Sequence, residues 1–199
     1  MEWGSYLVEL WSPSLRQCQE VISQLTDNHW DIRLISSTSD AFAELVPPAL
    51  ERVTVKWLSI YDTPLTTDSI ISLSHLLSTN CSLKWLILSN CSINDEGVAA
   101  LTDGLQDNKT LTDLWLHNNP LITSNSCRSL SRLLKNSSLS YLDLTRTSLD
   151  KDGVLLLTDT LDNNKTLTRL HLDERHRQTC YSLTYFGRIE HRLYFFSLK

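Results

Sequence analysis

Two aspartates and two histidines recur at positions where they could share one surface: Asp113, His117, Asp143 and His171. Carboxylates and imidazoles are the usual general acids and bases, and they also bind zinc. Catalysis further requires a pocket that excludes water, and the repeat pattern described below places these residues on an open, curved surface. The chain's five glycines form neither a GxxxxGK[ST] nor a GxGxxG phosphate loop. We therefore predict that the chain is not an enzyme and has no catalytic residue, no metal site and no cofactor.

The elements that position these residues are copies of a 28-residue repeat. One complete copy runs from Leu83 to Thr110, and it opens with an LxxLxL pattern followed by Cys91 and Ile93. Its second half carries apolar residues at the i, i+3, i+7 spacing of a helix face. In-phase copies of the first half begin at Val55, Leu111, Leu139 and Leu167, and the residues expected at the Ile93 position are Leu65, Leu121 and Leu149. A fixed period with the pattern LxxLxLxxN/C is the signature of leucine-rich repeats.

Each repeat predicts a strand followed by a helix, so the predicted fold class is α/β. We expect a leucine-rich-repeat solenoid, a right-handed horseshoe with a parallel sheet on its concave side and helices on its convex side. The regular array is predicted over residues 51–172. Residues 1–50 are interpreted as degenerate N-terminal repeats, the alternative being an unrelated α/β segment that caps the solenoid. Pro47 and Pro48 are expected to end a helix that begins near Asp40.

Residues 173–199 break the pattern, and we predict that they form a C-terminal cap, because the last repeat would otherwise expose its apolar end. A helix is predicted over 185–196.

In the middle of the array, Leu116→Ala should cost about 2–5 kcal/mol through lost burial and the residual cavity. Leu172→Ala is expected to cost less, because only the irregular cap lies beyond it.

Composition argues against several classes of function. The formal net charge of −5 argues against a nucleic-acid binder that depends on phosphate contacts. No apolar run approaches the ~20 residues that span a membrane, and the N-terminus does not have the basic start of a signal peptide. Five cysteines, an odd number, fit reduced thiols better than a disulfide framework, and Cys91 and Cys127 fall on inward-facing positions. We therefore predict a cytoplasmic protein without a nucleic-acid or membrane partner.

Between the inward leucines, the alternate strand residues should face the concave side. Neighbouring strands lie ~4.8 Å apart, so equivalent residues of successive repeats should touch. Tryptophan and tyrosine are enriched at binding hot spots, and several recur there. The predicted partner-binding residues are Trp57, Tyr61, Trp85, Asp113, Trp115, His117, Tyr141, Asp143, Arg169 and His171. The alternative is that the rings stack on one another, cover the sheet and bind nothing.

Several N-x-S/T triplets occur at the end of each repeat: Asn80-Cys81-Ser82, Asn108-Lys109-Thr110, Asn136-Ser137-Ser138 and Asn164-Lys165-Thr166. On an extracellular protein such triplets would be glycosylation acceptors. Because they recur in phase, we interpret them as parts of the turn between helix and strand.

The unit LxxLxLxxC/N-xI/L-x-DEGVxxLxxxLxxNxT resembles the ribonuclease-inhibitor subtype of leucine-rich repeat over roughly residues 51–172. The segments SLKWLILSNCSINDEGVAALTDGL and TLTDLWLHNNPL are most similar to the C-terminal repeats of NOD-like receptors. That resemblance implies an intracellular innate immune receptor whose repeats sense a ligand or hold a neighbouring nucleotide-binding domain inactive. No NACHT domain is present in this sequence, which indicates a fragment or a short paralogue.

The same repeat subtype also serves stand-alone ribonuclease inhibitors and Ran GTPase activators, so a stand-alone inhibitor or GTPase-regulating protein is the alternative function. Ribonuclease inhibitors set aromatic and acidic residues against basic partners, and the tryptophans with Asp113, Asp143 and Asp173 would suit that use. No loop arginine or asparagine could be assigned to GTPase activation.

Overall fold

Strands and helices alternate along the chain in the computed structural model, which describes residues 2–197, with the backbone alone for residues 2, 3 and 136. The strands are β1 Glu2–Trp3, β2 Leu7–Trp11, β3 Asp31–Ile35, β4 Trp57–Tyr61, β5 Trp85–Ser89, β6 Asp113–Trp115, β7 Tyr141–Asp143, β8 Arg169–Asp173 and β9 Leu193–Phe196. The helices are α1 Leu15–Gln24, α2 Ser39–Arg52, α3 Thr67–Thr79, α4 Asp95–Gly104, α5 Cys127–Asn136, α6 Lys151–Asn163, α7 Arg177–Tyr181 and α8 Phe186–Ile189. Residue 1 of the predicted N-terminal segment and residues 198 and 199 of the predicted cap lie outside the described part.

The strands form one sheet in chain order, in which β2 to β9 are parallel and β1 pairs antiparallel with β2. The register joins equivalent residues of successive repeats, so that Leu58 lies opposite Leu86 and Leu86 opposite Leu114. Parallel strands joined through helices leave the sheet open at both ends. The α/β leucine-rich-repeat solenoid predicted from the sequence is confirmed.

The core lies between the sheet and the helices. Its strand side is a column of fully buried residues repeated in every unit: Leu34, Ile60, Leu88, Leu116, Leu144 and Leu172. Cys91 and Cys127 are buried among them, as predicted, and all five cysteines are free thiols. The helices approach closely enough that a methyl group on Gly104 of α4 would overlap the backbone of Ser74 on α3.

Asparagine side chains close the turns that lead from each helix into the next strand. The Oδ1 atom of Asn108 accepts hydrogen bonds from the backbone N–H groups of Thr110 and Leu111, at 2.9 Å each. Asn80 and Asn164 repeat this arrangement with the residues two and three positions later. The structural interpretation of these three N-x-S/T triplets is confirmed, while the side chain of Asn136 lies outside the described part.

The prediction that Pro47 and Pro48 end the second helix is wrong, because α2 continues through both to Arg52. Each proline removes one hydrogen bond from the helix. The helix continues because apolar residues on both sides of the pair, from Phe42 to Leu50, are buried in the core. Here tertiary burial outweighs the local preference.

The assignment of Leu121 to the inward position of its repeat is also wrong. Leu121 is 55% exposed, whereas Ile122 is fully buried. A turn through Pro120, closed by a hydrogen bond of 3.0 Å from the Ile122 N–H to the Asn119 carbonyl, holds one residue more than its counterparts. That residue moves the buried position by one. The buried residues of the following helix, Cys127, Leu130 and Leu134, accordingly lie 29 rather than 28 residues after Val98, Leu101 and Leu105.

A third correction concerns the C-terminal tail. The helix predicted over 185–196 covers only Phe186–Ile189, and after a single turn of 3₁₀ helix the chain enters β9. β9 pairs parallel with β8 and places Phe195 opposite the buried Leu172. Tyr194 and Phe196 point to the other face of the sheet, because side chains alternate along a strand. The tail therefore adds a strand to the sheet where the sequence predicted the second half of a helix.

Candidate functional site

The outward-facing residues of the strands lie in the register that the repeat predicts. The first column runs from Trp57 through Trp85, Asp113 and Tyr141 to Arg169, and the second contains Trp115, Asp143 and His171. These side chains lie on the face of the sheet opposite the helices, which we call the concave face. The residues of both columns therefore share one surface.

A continuous row of rings crosses this face, and we call it the aromatic ribbon; its members are Trp57, Trp85, Trp115, Tyr141, His171, Tyr194 and Phe196. The ring centres of Trp57 lie 5.1 Å from those of Trp85 and 6.3 Å from those of Trp115, and both pairs are stacked. Trp115 is 4.6 Å from Tyr141, which meets His171 edge-on at 4.6 Å. These separations fall within the 4.5–7 Å range typical of favourable aromatic pairs.

The ribbon ends on two residues that sequence reasoning missed. His171 lies 5.1 Å from the Tyr194 ring and 4.7 Å from the Phe196 ring. The helix that the sequence predicts over 185–196 would not place Tyr194 and Phe196 on the concave face. The signal that could have found them is the short run from Leu193 to Phe196, which is rich in the aromatic residues that favour strands.

Arg169 and Trp57 complete the ribbon through polar contacts. The guanidinium carbon of Arg169 lies 5.3 Å from the centre of the Tyr141 ring, within cation–π range. The indole N–H of Trp57 donates a hydrogen bond of 2.8 Å to the Ser59 hydroxyl. Both contacts hold rings of the ribbon in place.

Asp143 gathers both concave histidines around one carboxylate. Its Oδ2 atom lies 3.8 Å from Nδ1 of His117 and 3.9 Å from Nδ1 of His171. Its Oδ1 atom accepts hydrogen bonds from the backbone N–H and the hydroxyl of Thr145, at 2.9 and 2.8 Å. The Tyr141 hydroxyl lies 2.9 Å from Nδ1 of His171. Asp143 is therefore a structural hub of the concave face.

Burial determines the protonation of this cluster. It lowers the pKa of His117 and His171 below the ordinary value, and the neighbouring Asp143 offsets only part of that effect. Arg146 and Arg169 lower the two pKa values further through charge repulsion. Burial and the nearby Asp143 raise the pKa of Tyr141 to about 12. Both imidazoles are thus neutral near pH 7, and the Tyr141 phenol keeps its proton.

The remaining candidates lie on the same face but outside this cluster. Asp113 is buried, and it accepts a hydrogen bond of 2.5 Å from the hydroxyl of Thr112 rather than meeting a histidine. Tyr61 lies half-buried at the end of β4, opposite Ile35 of β3. The structure therefore brings three of the four acid–base candidates together and separates Asp113 from them.

Comparison with known proteins agrees with the repeat pattern. The chain is 34% identical over 111 residues to NACHT, LRR and PYD domains-containing protein 5 of Homo sapiens, an alignment that covers 55% of this chain and 9% of that protein. It is 30% identical over 150 residues to NACHT, LRR and PYD domains-containing protein 3 of Bos taurus, covering 72% of this chain and 14% of that protein. The chain resembles the leucine-rich-repeat region of NOD-like receptors.

This repeat region spans only about a tenth of the length of these relatives. No family model matches it. Among solved structures, that of the leiomodin-1 actin-binding site 2 aligns with a TM-score of 0.55 at 21% identity, covering 64% of this chain and 74% of the other. At that identity the likeness concerns the fold alone. No helix within residues 2–197 is long and apolar enough to cross a membrane.

A shallow depression of about 320 Å³ lies beside the ribbon in this repeat region, lined by His117, Asp143, Arg146, His171 and Phe196 among others. Within residues 2–197, Nδ1 of His117 has no hydrogen-bond partner. The depression is open to solvent, although Nδ1 of His117 is itself buried. Its lining also presents ring faces, an arginine and hydrogen-bonding groups, which suit the binding of a partner better than bond cleavage.

Proposed function

We propose that the chain is a non-catalytic recognition module of a NOD-like-receptor-type innate immune protein, and that it binds a protein partner through the aromatic ribbon. The observation that carries this proposal is the unbroken row of rings from Trp57 to Phe196. Its exposure is greatest at the C-terminal end: Tyr141 in the middle is 8% exposed, whereas Tyr194 is 41% and Phe196 48% exposed. The resemblance to NOD-like receptors supports a cytoplasmic setting for this binding.

The alternative, that the rings only cover the sheet, accounts for the middle of the ribbon better than for its end. Trp115 and Tyr141 contact rings on both sides, so each is largely covered by its neighbours. Tyr194 and Phe196 each contact His171 and leave nearly half of their surface in water. Rings with low conformational freedom and open faces are typical anchors of protein interfaces.

The second function considered from the sequence, a stand-alone inhibitor of a basic enzyme, finds less support. It requires Asp113, Asp143 and Asp173 to present their carboxylates to a cationic partner. Asp113 and Asp143 are buried, and each accepts hydrogen bonds from neighbouring threonines. Asp173 accepts a hydrogen bond of 2.7 Å from the Arg146 N–H and lies 3.4 Å from the Arg175 guanidinium. A partner would have to break these contacts before it could use the three charges.

The test is a proximity-labelling screen with the full chain in its wild-type form, with Trp85→Ala/Trp115→Ala, and with Phe196→Ala. Truncating an anchor residue should weaken binding by about 30-fold or more, so the partner should be lost from both variants. Ile71→Ala is the matched control, because Ile71 is an exposed apolar residue on helix α3, away from the ribbon. It should recover the same partner as wild type.

Folding of each variant is checked by its urea midpoint, so that loss of structure is separated from loss of contact. Phe196→Ala keeps the test valid if the double variant unfolds, because Phe196 lies at the exposed end of the ribbon. If both folded variants recover the same proteins as wild type, the concave-face assignment is wrong.

A further inference from the structure

A groove of about 750 Å³ runs along the outer side of the solenoid between helices α5 and α6, away from the aromatic ribbon. Arg128, Ser131, Arg132 and Lys135 line it from α5, at the i, i+3, i+4, i+7 spacing of one helix face. Asp159 lines it from α6, and Lys165 from the loop that follows. Its volume falls within the range of small-molecule sites, roughly 300–1,000 Å³.

The groove concentrates positive charge in a chain whose formal net charge is −5. Helix α5 contains no acidic residue. Arg132 forms an ion pair with Asp103 on the neighbouring helix α4. Within residues 2–197, Arg128, Lys135 and Lys165 form no ion pair, and Asp159 is the one acidic residue in the lining. The groove thus has three unmatched cations facing one carboxylate.

Ser131 gives a second, independent sign of a ligand. The residue is only 6% exposed and lines the groove, yet its hydroxyl has no hydrogen-bond partner within the described residues. A buried hydroxyl without a partner is uncommon, and it costs free energy unless something satisfies it. Rotation about one side-chain bond is enough to aim a serine hydroxyl at an oxygen bound between Arg128 and Lys135.

We propose that this groove binds a small ligand that carries several phosphate groups. Phosphate oxygens accept charge-assisted hydrogen bonds from guanidinium and ammonium groups, which are stronger than neutral ones. Arg128 and Lys135 line the groove from α5 and Lys165 lines it from the loop after α6, so the three cations suit phosphates placed around a compact scaffold, with the Ser131 hydroxyl as a further donor. The site lies on the opposite side of the solenoid from the ribbon, so it does not depend on the partner-binding proposal.

Isothermal titration of the full chain with inositol hexakisphosphate tests the proposal. Lys135→Ala and Lys165→Ala should each weaken binding by roughly tenfold, because each removes a charge-assisted contact. Lys151→Ala is the matched control: Lys151 is an exposed cation on the same helix α6 but outside the groove lining, and its removal should leave the affinity nearly unchanged. Absence of binding by wild type, or equal losses in all three variants, would overturn the proposal.

Two further variants should change the affinity for the ligand in opposite directions. Asp159→Asn removes the one repulsive carboxylate and should tighten binding several-fold. Ser131→Ala should weaken binding several-fold without lowering the urea midpoint, because it deletes a buried hydroxyl that has no partner in the free protein. An unchanged affinity in both variants would mean that the groove does not hold the phosphates.

The phosphates could belong to a soluble molecule or to a lipid headgroup. Sedimentation with vesicles that contain a phosphorylated inositol lipid, against vesicles of phosphatidylcholine alone, separates these sources. Vesicle binding that Lys135→Ala abolishes assigns the headgroup. Binding of the soluble probe without vesicle binding assigns a soluble ligand, and vesicle binding that is insensitive to Lys135→Ala contradicts the proposal.

Discussion

The concave face divides into two regions that share one backbone. On β2 and β3 the outward residues include three charged ones: Arg33 lies 2.8 Å from Asp31 and 3.6 Å from Glu9, and the Trp11 indole N–H donates a 2.7 Å hydrogen bond to Glu9. From β4 to β9 the outward columns carry the rings of the aromatic ribbon, together with Asp113 and Asp143. The inward positions do not change between the regions, since Leu34 of β3 and Leu116, which directly follows β6, are equally buried.

This difference shows which positions the fold constrains. Inward residues must be apolar in every repeat, because they fill the space between sheet and helices. Outward residues need only be compatible with a strand, so the type of outward side chain can differ between the two regions. The charges of β2 and β3 satisfy one another, whereas the ribbon ends on exposed rings that have contacts on one side only. The function we propose therefore belongs to the second region.

The largest effect should come from the positions that the two regions share. Leu116→Ala should lower the free energy of unfolding by about 2–5 kcal/mol through lost burial and the cavity it leaves. Because β9 covers β8 and Leu172 is fully buried, Leu172→Ala should now cost nearly as much, rather than less as the sequence suggested. Urea unfolding of both variants provides the comparison. A much smaller loss for Leu172→Ala would mean that β9 packs more weakly than an internal strand.

Repeat phase made much of this fold predictable from the sequence. The columns from Trp57 to Arg169 followed from the 28-residue period, because side chains alternate along every strand. Errors arose where a local rule competed with packing. Pro47 lies inside α2 because its neighbours are buried, and an extra turn residue shifted the inward position from Leu121 to Ile122.

The candidate site was predictable only as far as the repeat pattern extends. Periodicity assigned residues to a face, but it did not reveal that β9 continues the sheet after a shortened connection. Tyr194 and Phe196 were missed for that reason. The gathering of His117 and His171 around Asp143 depends on side-chain rotamers across three strands, which a repeat pattern does not encode.

A smaller loss of stability is expected when the side chains that differ between the two regions are removed, and its dependence on salt should differ between the regions. Trp115→Ala removes ring contacts to Trp57 and Tyr141 and should cost about 1–3 kcal/mol at any ionic strength. Arg33→Ala removes a partly exposed cation from Asp31 and Glu9, so its destabilisation should shrink as salt is raised. Urea midpoints at low and high sodium chloride measure both responses. Equal salt dependence of the two variants would remove the distinction drawn between the regions.

The smallest effect should be a loss of stability in mild acid that originates in the aromatic region. Burial lowers the pKa of His117 and His171 in the folded chain below the value of 6.5 expected when unfolded. As pH falls through about 6.5, the unfolded state therefore binds more protons than the folded state, and the free energy of unfolding falls. The stabilisation is complete above that pH, and the loss levels off once the folded histidines are also protonated.

Urea midpoints measured at pH 7.5, 6.5 and 5.5 test this for wild type and for His117→Asn/His171→Asn. The double variant should show a shallower fall between pH 7.5 and 5.5, whatever its absolute stability. Some fall should remain, because burial also lowers the pKa of His176. Carboxylates whose pKa is lowered, such as Asp95 and Glu174, start from 3.8 and 4.5 and contribute only at more acidic pH. A fall as steep in the double variant as in wild type would place the acid sensitivity outside the Asp143 cluster.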